Sequence, residues 1–201
     1  WLGILAAVPP SCEELIYSRH ERGFALHTMR TPQLTRLYLQ CPIDDKVENW
    51  SDDRIWHELG IRLNIPGWTL QEGPILDRGI TEMRSFVHEP MQHGRLYLAG
   101  DSAHIVPPTG AKGMNLAIAD ARLLAAALIA HYKSNNREAL ARYTADALPR
   151  VWRAQHFSWW WTTLFHRFDD DDAAFQQQLQ VSQLRYMLSS RPALTSMAEN
   201  Y

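Results

Sequence analysis

The chain has 201 residues, with 20 Lys plus Arg against 22 Asp plus Glu and a formal net charge of -2. No basic cluster runs along one face, so a polyanion-binding surface, and with it a nucleic-acid partner, is excluded. Cys12 and Cys41 are the only cysteines; without a CxxC pair or a secretory segment there is no basis for a disulfide framework or a zinc site, and the cytoplasm is the expected compartment.

Trp1 to Val8 is apolar and follows neither a methionine nor a basic segment. It reads as an internal strand rather than a signal peptide, and the chain is expected to be a piece of something longer. From Leu15 to Tyr38 the alternation of polar and apolar residues predicts a meander of strands, with turn chemistry at His20-Glu21-Arg22-Gly23 and Thr31-Pro32-Gln33. Leu26, Thr28 and Arg30 are expected on one face, and Leu34, Arg36 and Tyr38 on one face of the next strand. The polar row Thr28, Arg30, Arg36 and Tyr38 either lines a cavity or is an ordinary solvated sheet face. Ser51 followed by Asp52 and Asp53 predicts a short helix that ends near Gly60. After turns at 64–67 and 72–74, Ile75 to Val87 reads as one or two strands. Within it Arg84, taken alone, reads as a surface ion-pair partner of Glu82 or Glu89.

The rest of the chain is organised around Gly94 to Ala130. Arg95 to Ala99 is expected to be a buried strand with Asp101 at its carboxyl end, where α/β sheets bind ligands. Pro107-Pro108 stiffens the loop that follows, and Gly110 and Gly113 leave backbone amides bare at the start of a helix, a place that favours electron-rich ligand atoms. That helix is alanine-rich. Its apolar stretch, Leu116 to Ala130, is interrupted by Asp120 and Arg122 and falls short of the ~20 residues that a bilayer span needs, so a buried helix of a soluble protein is expected. A break at 134–136 precedes helical spacing from Glu138 to Trp161 and a helical C-terminal subdomain. Asp169 to Asp172 reads as a solvated loop capping a helix that starts near Ala173 and ends at Arg191-Pro192. Four of the 8 tryptophans lie between Trp152 and Trp161; at that density core packing is preferred over an aromatic ligand cage. No P-loop, GxSxG, internal repeat or metal-ligand spacing is present.

The segment LAGDSAHIVPPTGAKGMN closely resembles the second flavin-binding motif of the single-component aromatic hydroxylases. Together with LIYSRHERGFALHTMR, DKVENWSDDR, MRSFVHEPMQHGRL, FSWW with its trailing LFHRF, and the terminal MAENY, it makes nearly the whole chain similar to the 4-hydroxybenzoate 3-monooxygenase family of FAD-dependent class A hydroxylases. The resemblance implies an α/β (α+β) fold in three parts: a substrate-binding sheet over 1–88, a returning FAD-binding strand, loop and helix over 89–133, and a helical subdomain over 134–201. It also implies NADPH- and O2-dependent hydroxylation of 4-hydroxybenzoate to 3,4-dihydroxybenzoate, with FAD as cofactor. Thr28, Arg30 and Tyr38 would hold the substrate carboxylate, a task suited to guanidinium and hydroxyl donors. Tyr17, Tyr201 and the Pro108 carbonyl would act on the phenol. Asp101, Lys112 and the amides of Met114 and Asn115 would contact FAD, Arg36 would sit beside the flavin ring, and Arg84 would contact NADPH. The family's N-terminal GxGxxG unit is absent, so the piece is expected to be inactive alone. A possible homodimer is implied, and no membrane. Two other readings stay open: a catalytically silent module that binds an aromatic acid or a partner, and a related hydroxylase acting on another hydroxybenzoate.

Overall fold

The structure is a computed structural model that describes residues 1–168 and 172–201. The acidic run expected as a capping loop falls largely outside the described residues, which omit 169–171. Packing divides the chain into two compact units, one made of residues 1–82 with 163–185 and the other of 83–162 with 186–201. These packing units do not coincide with the expected segments 1–88, 89–133 and 134–201.

The first unit is built on a five-stranded antiparallel sheet in the order β2-β3-β4-β1-β5. Its strands are β1 (Leu2–Ala6), β2 (Ile16–Ser18), β3 (Ala25–Thr31), β4 (Leu34–Leu39) and β5 (Ile75–Ile80). The apolar N-terminal run is thus a strand, as expected, with β4 and β5 on either side. Period-two alternation sorts its side chains. Leu2, Ile4 and Ala6 of β1 and Leu37 and Leu39 of β4 form a core with Ile55, Trp56 and Leu59 of helix α1 (Asp52–Arg62). Each Leu or Ile side chain of this core contributes about 1.5–3 kcal/mol by leaving water. The predicted start of α1 is present, with the Ser51 side chain accepting from the Arg54 amide. Its end is pinned by charge: buried Glu58 accepts from Arg62 (2.9 Å) and pairs with Arg22, while Arg62 also donates to the carbonyls of Gln40 (2.8 Å) and Phe24 (3.3 Å). Burial works against the charge on Glu58, but the two guanidinium groups outweigh it and lower its pKa.

The second unit contains two short antiparallel ladders, β6 (Phe86–Val87) with β9 (His104–Ile105) and the hairpin β7 (Gln92–His93) with β8 (Leu96–Tyr97). Its helices include α2 (Gly113–Ser134), α3 (Glu138–Ala141) and the residues up to 162 of α4 (Tyr143–Phe165). Met91, Ala103, Val106 and Leu116 pack against Tyr143, Ala147, Val151 and Ala154 in its core. The Tyr143 hydroxyl donates to the Leu98 carbonyl at 2.8 Å, and burial raises its pKa to about 12.

Several expected elements differ here. The run 95–99 is no buried strand: only Leu96–Tyr97 pairs, in a tight hairpin turned by Gly94 at φ +58, and Leu96 is exposed. Helix α2 is long and apolar enough to meet the length and composition of a bilayer span, so the apolar stretch is not too short, and it is not a buried helix either, since only Leu116, Asp120 and Ala127 are fully buried. Asp120 instead ties the helix to the loop before it, as described below. The helical run after Glu138 is broken at Arg142 and then continues beyond Trp161 to Phe165. Pro192 does not close a helix but opens α6 (Arg191–Asn200), with Ser190 as its N-cap; α5 (Ala173–Ser189) has already ended. A proline is well suited to a first helical turn, where its missing N–H has no partner to lose. Trp161 is buried against Phe157, as core packing requires, whereas Trp152 and Trp159 are exposed.

Candidate active site

In the first unit, strand register decides which predicted side chains meet. Tyr17 of β2 stands opposite Leu26 of β3, which stands opposite Tyr38 of β4, which stands opposite Gly3 of β1. Residues paired directly across strands share a face. These therefore line the face turned away from the α1 core, as the alternation of β4 requires. Thr28 faces Arg36 one step along the same face. The Arg36 guanidinium carbon lies 5.4 Å from the centre of the Tyr38 ring, close enough for a cation–π contact. Trp1 packs on Tyr38 (ring centres 5.0 Å apart), and Tyr17 packs on Phe165 (5.4 Å) and Phe24 (6.1 Å).

Arg30 departs from the expected alternation. The ladder pairs Met29 with Thr35 and then Thr31 with Leu34, which leaves Arg30 as the extra residue of a β-bulge. A bulge re-aims the side chain it carries. The face shared by Leu26 and Thr28 therefore does not extend to Arg30 through pairing, and Arg30 is exposed. The Thr28 hydroxyl donates weakly to the Met29 carbonyl, at 3.4 Å.

A second polar region of this unit was not singled out from the sequence. A cavity of about 440 Å3 is lined by Arg22, Arg54, Arg62 and Arg167 with Glu58 and Trp50, and Arg54 lies 4.1 Å from the Trp50 ring centre. None of the predicted site residues lines it.

In the second unit the stretch from Gly100 to Asn115 is a loop fixed at both ends. Gly100 has φ +62, and a Cβ placed on it would lie 3.2 Å from the Ala117 methyl group, so a glycine suits both the backbone angle and the close approach of loop to helix. Its amide donates to Asp120 Oδ2 (3.0 Å), and the same oxygen is 2.6 Å from His104 Nε2. A carboxylate that already receives one N–H can only accept from the imidazole, so Nε2 carries the proton. Both side chains are 1% exposed. Sequence reasoning missed this pair, because Asp120 showed only as a charge interrupting an apolar helix. Asp101, next to the anchored glycine, is exposed.

Further on, Pro107 and Pro108 lead into a single 3-10 turn that ends with Ala111 in the left-handed region. The Pro108 carbonyl accepts from the Ala111 amide at 3.0 Å. Helix α2 then begins without any side-chain cap, and the first bond of its ladder runs from the Leu116 amide to the Lys112 carbonyl (3.0 Å). The amides of Met114 and Asn115 therefore precede the intrahelical ladder at the positive end of the helix dipole. Lys112 sits beside them, 5.1 Å from the Phe157 ring centre and 5.5 Å from that of Tyr201, and donates to the Tyr201 carbonyl. Burial, and then the nearby Arg153, lowers its pKa. A cavity of about 320 Å3 here is lined by Lys112, Asn115, Arg150, Arg153, Phe157 and Glu199, among others. The structure thus brings Lys112, Asn115 and Tyr201 together within this unit, with Pro108 a few residues away on the same loop. Arg84 is exposed and precedes β6.

An uncapped helix start beside a lysine, reached through a glycine-dependent loop carrying an exposed aspartate, can receive an electron-rich ring edge and a polyol tail, which is the chemistry of a flavin dinucleotide. The family model that matches the chain over residues 1–158 is that of an FAD binding domain, and the chain belongs to that family. Among particular relatives, it is 49% identical over 202 residues to the p-hydroxybenzoate hydroxylase of Acinetobacter baylyi, covering 100% of this chain and 50% of that protein. It is also 39% identical over 72 residues to a putative FAD-dependent monooxygenase of Bacillus subtilis, covering 36% of this chain and 19% of that protein. The chain thus spans at most about half the length of these curated relatives. Among solved structures, p-nitrophenol 4-monooxygenase from Pseudomonas putida superposes with a TM-score of 0.69 at 19% identity, covering 99% of this chain and 52% of that one. Aklavinone-11 hydroxylase, solved with FAD and aklavinone, gives 0.68 at 21% identity, covering 82% and 32%. These likenesses establish the mixed helix-and-sheet fold of FAD-dependent hydroxylases.

Proposed function

We propose that the intact protein to which this chain belongs hydroxylates 4-hydroxybenzoate at the ring carbon beside the phenol, forming 3,4-dihydroxybenzoate with FAD, NADPH and O2. The observation that carries this reading is the 49% identity to p-hydroxybenzoate hydroxylase along the whole chain. The residue chemistry supports it. Arg30, freed from the ladder by its bulge, supplies a guanidinium for the substrate carboxylate, and Thr28 and Tyr38 supply hydroxyls for its remaining acceptor positions. Tyr17 accepts a hydrogen bond from the substrate phenol and Tyr201 extends the chain for its proton, so that the ring carbon gains electron density as the phenol moves toward phenolate. The Pro108 carbonyl contacts the same hydroxyl.

Asp101 binds the polyol region of FAD, the Met114 and Asn115 amides bind the ring edge, and Lys112 adds positive potential there. Arg36 lies beside the ring and Arg84 meets NADPH. When bound, FAD supplies oxygen activation at the cost of one NADPH. The protein is proposed to be cytoplasmic and to form a homodimer.

The test is to purify the intact protein and follow NADPH oxidation with and without 4-hydroxybenzoate while measuring product. A yellow protein with substrate-stimulated oxidation and 3,4-dihydroxybenzoate as product is expected. A colourless protein would instead favour a silent binding module, and stimulation by a different hydroxybenzoate only would move the substrate assignment.

A further inference from the structure

Three polar side chains recur on one stripe of α4 at spacings of three and four, Gln155, Ser158 and Thr162, in a stretch otherwise rich in aromatic and apolar residues. All three meet the loop that carries Pro108. Gln155, 6% exposed, donates from Nε2 to the Ile105 carbonyl (2.6 Å) and the Phe86 carbonyl (3.0 Å). Ser158 is fully buried beneath Gly110: a Cβ on that glycine would lie 2.4 Å from Ser158 Oγ and 3.1 Å from its Cα. Thr162 Oγ1 donates to the Ser158 carbonyl (2.7 Å). Its one proton is thereby committed, so in the 2.8 Å contact with Thr109 Oγ1 the Thr162 oxygen accepts and buried Thr109 donates.

We infer that Gln155, Ser158 and Thr162 are positioning residues for hydroxylation, acting through the loop 105–111 to hold the Pro108 carbonyl at the height and direction that the substrate phenol requires. The inference rests on the role proposed above for Pro108. Apolar residues would pack α4 at lower cost, since buried polar groups are unfavourable unless they are used. The Ser158 hydroxyl has no hydrogen-bond partner among the described residues; Ser158 acts by its close contact with Gly110, where the loop comes nearest α4. The stripe clamps both ends of the Pro107-Pro108 segment, Ile105 before it and Thr109-Gly110 after it. The proline carbonyl between them, tied among the described residues to the Ala111 amide, then inherits its direction from α4.

The test uses Thr162→Val, which keeps the shape and removes the acceptor, with Thr162→Ser as the conservative rescue. In the intact FAD-loaded protein three quantities are measured: hydrogen exchange of the 105–111 peptide, the Kd of 4-hydroxybenzoate, and the product formed per NADPH consumed. In Thr162→Val, exchange should rise about tenfold, the order expected when a buried hydrogen bond is lost. The Kd should weaken, the yield per NADPH should fall, FAD affinity should stay unchanged, and Thr162→Ser should restore all of these. Unchanged exchange would overturn the clamp; faster exchange with unaltered Kd and yield would overturn the positioning role, as would loss of FAD affinity. If the unaltered protein does not respond to 4-hydroxybenzoate, the substrate assignment fails, while the exchange result still decides the clamp.

Discussion

Replacing Asp120 with alanine should release the loop that carries Asp101. One buried oxygen, Oδ2, receives both the Gly100 amide at 3.0 Å and His104 Nε2 at 2.6 Å. Truncation removes a bond to a charged acceptor, ~1.5–3 kcal/mol, and leaves two buried donors without that acceptor, at ~1–3 kcal/mol for each such group. Since these costs overlap and the loop can relax, a net loss of about 3–5 kcal/mol is expected, as for one partner removed from a buried pair. Asp120→Asn, which keeps one acceptor oxygen, should cost about half as much or less. At 1.4 kcal/mol per factor of ten, Asp120→Ala should raise hydrogen exchange of the Gly100 amide by about 100-fold or more. The assay is hydrogen exchange by mass spectrometry on a peptide spanning 99–105, with urea unfolding as the check on global stability. A change below about 1 kcal/mol in both would refute the claim that Asp120 anchors this loop.

Four further outcomes follow from other groups. Burial lowers the His27 pKa, and its Nε2 accepts the Ser11 amide at 3.0 Å, a bond that protonation destroys. The unfolded chain therefore takes up the proton first, so stability should be intact above the ordinary histidine value near 6.5 and decline as pH falls through it toward the lower folded value. A midpoint-versus-pH series should show this slope and His27→Gln should flatten it. Tyr143 has the opposite sense: its raised pKa means that stability holds below the free-tyrosine value near 10 and is lost between there and about 12, a loss that Tyr143→Phe should remove. Gly110→Ala drives a methyl group into Ser158 and should cost about 1–3 kcal/mol by overpacking, measured as a drop in Tm, with Ser158→Gly recovering part of it. Tyr17→Phe should leave FAD binding unchanged while lowering hydroxylation of bound substrate and raising peroxide release; unchanged coupling would remove Tyr17 from the phenol relay.

Local chemistry made some of this molecule readable in its sequence and tertiary packing hid the rest. The meander, the start of α1 at Ser51 and the long helix from Gly113 each follow from signals within a few residues: alternation, a capping serine, a glycine-bounded apolar run. The faces of β4 were legible because period two leaves no choice once Leu37 and Leu39 are buried. Arg30 was not, since a bulge is a property of two strands together and one strand's pattern does not reveal it. The His104–Asp120 pair joins residues sixteen positions apart, and the Gln155, Ser158 and Thr162 stripe meets a loop some fifty residues earlier. Nothing in local periodicity marks such partners. The roles given to the site residues came from family resemblance, which carries chemistry that spacing alone does not encode.

The bulge at Arg30 has an evolutionary consequence. An extra residue in a ladder is the one residue a sheet can lose without turning its neighbours over. Deleting Arg30 would let Met29 and Thr31 follow one another in regular pairing with Thr35 and Leu34, and Tyr38, Thr28 and Arg36 would keep their face. Arg30 can therefore be discarded in a single step while the scaffold survives.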